Sequence, residues 1–173
     1  MGYFKKFGQI DYGGVKAANI LTAVLPSRLN IDKAFVYQNY NVIDGETPES
    51  IADKLYKDPQ LYWTILVVNS IVNPYTDWPI EESVFEEFVS KKYGDIFGVH
   101  HFWDNRIDRI CDDVADAEYR SMPASALPYY IIPKTNLDYE REINMARREI
   151  IVVNPRYVSQ FVEIYHRAIE GKS

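Results

Sequence analysis

The segment from Gln60 to Asn69 is the feature that most limits how this 173-residue chain can fold. It predicts a helix with apolar residues on almost every side, and these residues are Leu61, Tyr62, Trp63, Ile65, Leu66, Val67 and Val68. A helix that is apolar all round has to be buried on all sides. Its neighbours in sequence can cover only one side, so we expect the rest of the chain or a partner protein to cover the other.

The residues before this segment predict a strand followed by a first helix. Ala34–Val42 is rich in Val, Tyr and Phe, which favours a strand, and Asp44-Gly45 predicts a turn. Thr47 is a suitable N-cap, with Pro48 at the first helical position. Lys57-Asp58-Pro59 ends this helix, because proline disfavours a helical residue before it. The order is therefore strand, helix, helix.

The predicted strand 34–42 needs a partner, since a lone strand leaves its backbone donors and acceptors unpaired. No strand pattern follows Asn69 closely, and the best remaining run is EIIVV at 149–153. We therefore predict an α+β fold in which 34–42 pairs with 149–153. The expected organisation is an N-terminal docking arm over 1–33, the strand and two helices over 34–73, a helical and loop insertion over 74–140, and the completing strand and C-terminal helix over 141–173.

The insertion contains one clear helix and one acidic segment. Glu81–Tyr93 has an amphipathic pattern that ends at Gly94, a common C-terminal stop. Asp104–Glu118 shows a weak helical stripe formed by Ile107, Ile110, Cys111 and Val114. On such a helix Asp104, Asp108 and Asp112 would share one solvated face, and Cys111 would be a buried, inert thiol. Ser121–Pro133 predicts a loop that is extended at Tyr129–Ile132.

The first residues of the chain predict a docking arm. Tyr3, Phe4, Phe7, Ile10 and Tyr12 follow neither a helical nor a strand period. We expect this arm to be mobile in the free subunit and to become ordered on a neighbouring subunit.

Charge and composition exclude several classes of function. The net charge is −6, and residues 40–133 carry 17 Asp/Glu against seven Lys/Arg. Such an acidic centre argues against nucleic-acid binding, which needs a basic face. The longest uncharged stretch contains prolines and asparagines, and no apolar signal segment follows Lys5 and Lys6, so we expect a soluble protein without membrane contact. One cysteine, Cys111, excludes an intramolecular disulfide and a Cys-rich zinc site.

No catalytic, metal or cofactor signature is present in the sequence. His100 and His101 are adjacent, so on a strand they would point to opposite faces and could not easily bind one metal ion. Neither a glycine-rich phosphate loop nor a catalytic motif with metal-ligand spacing occurs. We therefore expect no enzyme activity, no bound metal, no cofactor and no small-molecule substrate.

The block from Asn41 to Pro79 resembles the LysM module, a small βααβ domain that binds peptidoglycan or chitin oligomers. The residues that match its pattern are Asp44, Gly45, Thr47, Ile51, Ala52, Tyr56 and Asn69. The sequence departs from that pattern after Asn69, where SIVNPYTDWP stands in place of an immediate second strand. The resemblance implies a LysM-like βααβ module in which 149–153 supplies the second strand, antiparallel to 34–42. It also implies a sugar groove between the DGET turn and the loop after Asn69.

Three separated stretches resemble the LysM-containing baseplate wedge proteins of T-even-like contractile-tailed bacteriophages, the products of gene fifty-three. They are GETPESIADKLYKDPQLYWTILVVNSIVNPYTDWP, KKYGDIFGVHHFWDN and YEREINMARREIIVVNPRYVSQF. The resemblance implies a structural protein of the virion tail baseplate, assembled in the host cytoplasm, that links wedge subunits and neighbouring wedges into a ring. The alternative is a carbohydrate-binding LysM module.

A protein of that kind needs side chains that contact its partners. Large apolar and aromatic residues supply most interface energy, and the candidates are Tyr3, Phe4, Phe7, Trp63, Ile71, Tyr75, Trp78 and Trp103. A carbohydrate-binding module would instead need a polar, exposed groove.

Overall fold

The fold is a mixture of helices and small β-sheets, as described by a computed structural model for residues 9–12, 14–18 and 36–169. The chain forms two compact units, one from residues 1–79 and 147–173 and the other from residues 80–146. No helix in the described part of the chain is both long enough and apolar enough to cross a membrane.

An antiparallel hairpin occupies part of the predicted arm. It consists of β1 (Gln9–Tyr12) and β2 (Val15–Ala18). Gly14 lies in the turn at φ +82° and donates its backbone N–H to Asp11 Oδ1 at 2.8 Å. Ile10 and Tyr12 lie in β1 although the sequence shows no strand period there, because backbone pairing across a tight turn does not require an alternating side-chain pattern. Tyr3, Phe4 and Phe7 lie outside the described residues.

The sheet of the first unit joins two distant parts of the sequence. β3 (Tyr37–Asn41) pairs antiparallel with a strand at Glu149–Val153, and Asn39 lies opposite Ile151. The predicted antiparallel pairing is confirmed, although β3 is shorter than the predicted 34–42. Between the two strands in sequence, the first unit contains α1 (Pro48–Tyr56), a 3₁₀ turn (Pro59–Leu61) and α2 (Tyr62–Val68).

The apolar helix α2 is covered by the C-terminal helix of its own unit, Val158–Ile169. The Trp63 ring lies 5.0 Å from the ring of Tyr165 and 6.4 Å from that of Phe161, measured between centroids. No residue of α2 is exposed. Full burial of one large apolar side chain contributes about 1.5–3 kcal/mol to stability. The contact with the C-terminal helix therefore buries a helix that is apolar on all sides within a single chain.

The loop 70–73 leads to the short α3 (Pro74–Asp77), and the second unit then begins with α4 (Glu82–Tyr93). Its remaining elements are β4 (Val99–Asp104), β5 (Arg109–Ile110), α5 (Asp113–Ser121), a 3₁₀ turn (Ala124–Ala126), β6 (Ile131–Thr135) and α6 (Asn136–Ala146). The three strands form an antiparallel sheet in the order β5–β4–β6. In chain order, Glu149–Val153 is β7 and Val158–Ile169 is α7.

The buried side chains of Phe85, Val89 and Leu137 join α4 to α6. The buried carboxylate of Glu140 accepts hydrogen bonds from Lys92 Nζ and Tyr93 Oη, both at 2.7 Å. The buried Glu140 carboxylate is therefore paired with a cation and with a hydroxyl group.

The acidic segment differs from its prediction. No helix spans 104–112, because the chain turns back at Asp108, where φ is +51°, and forms the hairpin β4–β5. The helix begins only after Asp112, whose carboxylate accepts from the Ala115 N–H at 2.9 Å. Asp104 is buried and paired with Arg106, whose hydrogen bonds lower the pKa of the Asp104 carboxyl. Cys111 lies half-buried in the loop after β5, and burial raises the pKa of its thiol.

The two adjacent histidines also differ from their prediction. A register shift in β4 between Val99 and His101 breaks the alternation of side chains, and His100 Nδ1 lies 2.9 Å from His101 Nδ1. Burial, and then the neighbouring His100, lower the pKa of His101. Among the residues that the structure describes, no group of three or more His, Cys, Asp or Glu side chains is arranged to hold a metal ion.

Candidate interaction surface

The matched motif residues of the first unit stabilise its fold. Gly45 adopts φ +78° in the turn after β3, a conformation that favours glycine. Thr47 and Ser50 form a reciprocal capping box at the start of α1, with side-chain to backbone bonds of 3.2 Å and 2.9 Å. Ile51 and Ala52 on the next turn are completely buried. These residues fix where α1 begins and which face it buries.

Asn69 connects the end of α2 to strand β7. Its Nδ2 donates to the carbonyls of Ile65 at 2.8 Å and Ile151 at 2.7 Å, and its Oδ1 accepts from the Ile151 N–H at 2.9 Å. One side-chain amide thus satisfies both backbone groups of Ile151, as a neighbouring strand would. We call the hydrogen bonds of Asn69 with Ile65 and Ile151 the Asn69 lock. The two-stranded sheet needs such a group because an open strand edge leaves donors and acceptors unpaired.

Tyr56 makes a second connection to β7. Its Oη donates to the Val153 carbonyl at 2.9 Å. Burial is the largest influence on this phenol and raises the pKa of Tyr56 to about 12. The end of α1 is therefore tied to the end of β7 by a neutral hydroxyl.

The polar side chains of the DGET turn are engaged within the unit. Glu46 accepts hydrogen bonds from Tyr40 Oη at 2.9 Å and from Lys54 Nζ at 3.0 Å. Burial acts to raise the pKa of Glu46, but hydrogen bonds from the Ile43 N–H, Lys54 and Tyr40 outweigh it and lower that pKa. Asp44 pairs with Arg148 at 2.6 Å.

The loop after α2 is held at both of its ends. At its start, Ser70 adopts φ +56°, and the N–H groups of Ser70 and Ile71 donate to the carbonyls of Val67 and Leu66. This is a Schellman ending, which reverses the chain and explains why no strand follows directly. At its other end, the buried Trp78 donates its Nε1–H to the Glu46 carbonyl at 2.8 Å.

Between these two fixed points the loop presents apolar side chains to solvent. Val72 is 91% exposed and Tyr75 is 96% exposed. Asn73 caps α3 by accepting from the Tyr75 N–H at 3.1 Å, while its own N–H donates to Asp77. Ile43, beside the DGET turn, is also exposed. We define the loop surface as Val72 and Tyr75.

The predicted contact residues occupy different environments. Trp63 and Trp78 belong to the core of the first unit, and Ile71 packs half-buried against that core. Trp103 is half-buried in the second unit, and Tyr75 is almost fully exposed. The exposed Ile43 and Phe97 were not predicted, because a single apolar residue beside a turn carries no periodic signal.

An open groove of about 310 Å³ lies elsewhere on the first unit, between the 3₁₀ turn and α7. Its lining residues are Asp58, Gln60, Leu61, Trp63, Ser159, Val162, Glu163 and His166. The lining includes neither the DGET turn nor the loop surface, so it does not coincide with the sugar groove that the LysM resemblance implies.

Comparison with known proteins identifies what this chain is similar to. Residues 2–124 match the family described as base plate wedge protein 53. The chain is also 30% identical over 71 residues to the baseplate wedge protein gp53 of Enterobacteria phage T4. That similarity covers 39% of this chain and 36% of the relative, so the chain matches about a third of the relative's length.

Proposed function

Because the chain belongs to the base plate wedge protein 53 family, we propose that it is a non-catalytic structural subunit of a bacteriophage tail baseplate wedge. In this role it links wedge subunits and neighbouring wedges while the baseplate assembles in the host cytoplasm. Its partners are other wedge proteins, and it needs no cofactor.

The single observation that best supports a linking role is the loop surface. An apolar side chain that is almost fully exposed gains most from burial by a partner. The loop that carries Val72 and Tyr75 is fixed by the Schellman ending and by Trp78. A partner therefore meets a preformed surface and does not have to order a flexible loop, which lowers the entropic cost of binding.

We further propose that the 80–146 unit is an insertion that serves the family as additional contact surface. It supplies its own buried cluster and its own three-stranded sheet. A unit with its own core can vary its outer side chains without disturbing the lock around Asn69.

The alternative function is binding of peptidoglycan or chitin oligomers by a LysM-like groove. Sugar recognition needs polar side chains that can bond to hydroxyl groups. Around the DGET turn, Glu46 is bonded to Tyr40 and Lys54, and Asp44 is paired with Arg148. This arrangement favours protein contacts over sugar contacts, even though an exposed tyrosine such as Tyr75 could stack on a sugar ring.

The test is incorporation of variants into baseplates during phage infection. Tyr75→Ala together with Val72→Asp should reduce incorporation at least tenfold and leave the melting temperature of the purified chain unchanged. Tyr157→Ala is the matched control, because Tyr157 is an exposed tyrosine of the same unit that lies outside the loop surface. Normal incorporation of the double variant, or saturable binding of chitin oligomers at micromolar concentration, would contradict the proposal.

A further inference from the structure

A row of apolar side chains crosses all three strands of the sheet in the second unit. Trp103 on the central strand β4 lies opposite Ile110 on β5 and opposite Ile132 on β6. Directly opposed residues of antiparallel strands project from the same face of a sheet. Ile110, Trp103 and Ile132 therefore form one continuous row, which we call the sheet row.

The helices of the unit cover the two faces of this sheet unequally. On one face, the Tyr119 ring of α5 lies 5.7 Å from the Phe102 ring. On the opposite face, the Tyr139 ring of α6 lies 5.8 Å from that of His101, two residues before Trp103. Within the described residues, the helix cover of this face does not close over the sheet row, where Ile110 is 52% exposed and Ile132 is 40% exposed.

The sheet row has acidic neighbours. Asp108 precedes Ile110 by two residues, Asp112 and Asp113 follow it closely, and all three are exposed. The unit as a whole carries 14 Asp/Glu and seven Lys/Arg over residues 80–146. A segment that covers the row should therefore combine apolar side chains with positive charge, because complementary charge increases both the rate and the specificity of association.

Residues 1–8 of the chain, MGYFKKFG, have this composition. They contain Tyr3, Phe4 and Phe7 together with Lys5 and Lys6, and no acidic residue. Aromatic residues are enriched among those that dominate interface energy. Three aromatic rings and two ammonium groups in eight residues complement an apolar row beside three carboxylates.

We propose that the sheet row of one copy of this chain binds residues 1–8 of a second copy. Such a contact joins different surfaces of the two copies, so repeating it produces either a closed ring or an open filament. This contact adds one partner to the proposed function, and it rests on that function because the baseplate is where copies of the chain would come together.

Self-association of the full-length chain, measured by sedimentation velocity over a range of concentrations, tests the proposal. Ile110→Lys places a positive charge on the row and should weaken association at least tenfold, as should Lys5→Glu combined with Lys6→Glu. Adding Asp113→Lys to the latter variant should restore part of the association by reversing both charges. Val84→Lys is the matched control, because Val84 is 48% exposed on α4 and lies outside both the sheet row and the loop surface, and it should change association less than twofold.

A labelled peptide of residues 1–12 provides a second measurement, read by fluorescence anisotropy with the full-length chain. Binding should weaken as salt is raised, and Ile110→Lys should reduce it as it reduces self-association. A monomeric chain that does not bind the peptide would overturn the inference, and so would peptide binding that Ile110→Lys leaves unchanged. If a chain that cannot self-associate is still incorporated into baseplates, this inference is wrong and the proposed function stands. If the chain self-associates but is not incorporated, only the proposed function is contradicted.

Discussion

In the first unit, β3 and β7 come from distant parts of the sequence and form a sheet, and side chains form hydrogen bonds with backbone groups of β7. In the second unit, the three paired strands lie close together in the sequence. The side chains of Asn69 and Tyr56 form hydrogen bonds with the backbone of Ile151 and Val153 in β7. In the second sheet Arg120 of α5 donates to the Val99 and His100 carbonyls of the central strand β4, but the row Ile110–Trp103–Ile132 stays partly open. Motif residues can therefore stabilise the fold, while the surfaces suited to partners lie elsewhere.

The largest expected effect is the loss of the first sheet when a charge is placed inside it. Val152 on β7 is completely buried, so Val152→Asp should destabilise the first unit by more than about 4 kcal/mol. The readout is the loss of amide hydrogen-exchange protection across β3 and β7. Ile132→Asp on the second sheet is the control and should cost far less, since Ile132 is partly exposed. Equal losses in both variants would remove the distinction between the two sheets.

Asn69→Ala is expected to have the next largest effect. It removes the bonds to the Ile151 N–H and carbonyl and to the Ile65 carbonyl. The Ile65 carbonyl keeps its bond from the backbone N–H of residue 69, so the two backbone groups of Ile151 are left unsatisfied. Each costs about 1–3 kcal/mol, and because both are only partly buried, the free energy of unfolding should fall by about 2–4 kcal/mol in urea titration. Asn105→Ala, in an exposed turn of the second unit, should change it by less than about 0.5 kcal/mol. A near-neutral Asn69→Ala would show that the lock is not needed.

Acidification should weaken the second unit through its histidine pair. The pKa of His101 is lowered in the folded state, first by burial and then by His100. The stability this contributes is present above the ordinary histidine pKa and is lost as pH falls through the folded value, because the unfolded chain then binds more protons. Urea unfolding at pH 7, 6 and 5 should show a falling free energy of unfolding, and His101→Gln should flatten that fall. An identical slope in the variant would assign the pH dependence to other groups.

The smallest effect is expected where acidic side chains are exposed. Replacing Asp108, Asp112 and Asp113 together with Asn should change the free energy of unfolding by less than about 1 kcal/mol. Asn can replace Asp112 as the helix cap, so α5 keeps its start. Thermal unfolding of the triple variant measures this, and a large drop in melting temperature would mean that these acids are needed for the second fold.

Much of the first unit could be predicted because its signals are local and strong. Thr47 with Pro48 marks the start of α1, and EIIVV has the composition of a buried strand. The pairing of β3 with β7 followed from three arguments: backbone groups have to be paired, EIIVV was the best remaining strand pattern, and the LysM resemblance implies an antiparallel second strand. The roles of Asn69 and Tyr56 could not be predicted, because they depend on contacts with β7 that lie far away in sequence.

The errors share a physical cause, which is backbone geometry that side-chain periodicity does not report. The β1–β2 hairpin depends on the turn at Gly14, and the β4–β5 hairpin depends on the left-handed conformation of Asp108. The shift in β4 brings His100 against His101, although ordinary alternation separates adjacent residues. Size and aromaticity alone also could not separate the core residues Trp63 and Trp78 from the exposed Tyr75.

The most direct test of a linking role for this chain is an electron cryo-microscopy map of an assembled baseplate that contains it. We predict that the chain lies in the wedge, with Val72 and Tyr75 buried against another wedge subunit and the Asn69 lock intact. A map in which the chain is present but both side chains face solvent would contradict the role of the loop surface. Absence of the chain from the baseplate would contradict the proposed function itself.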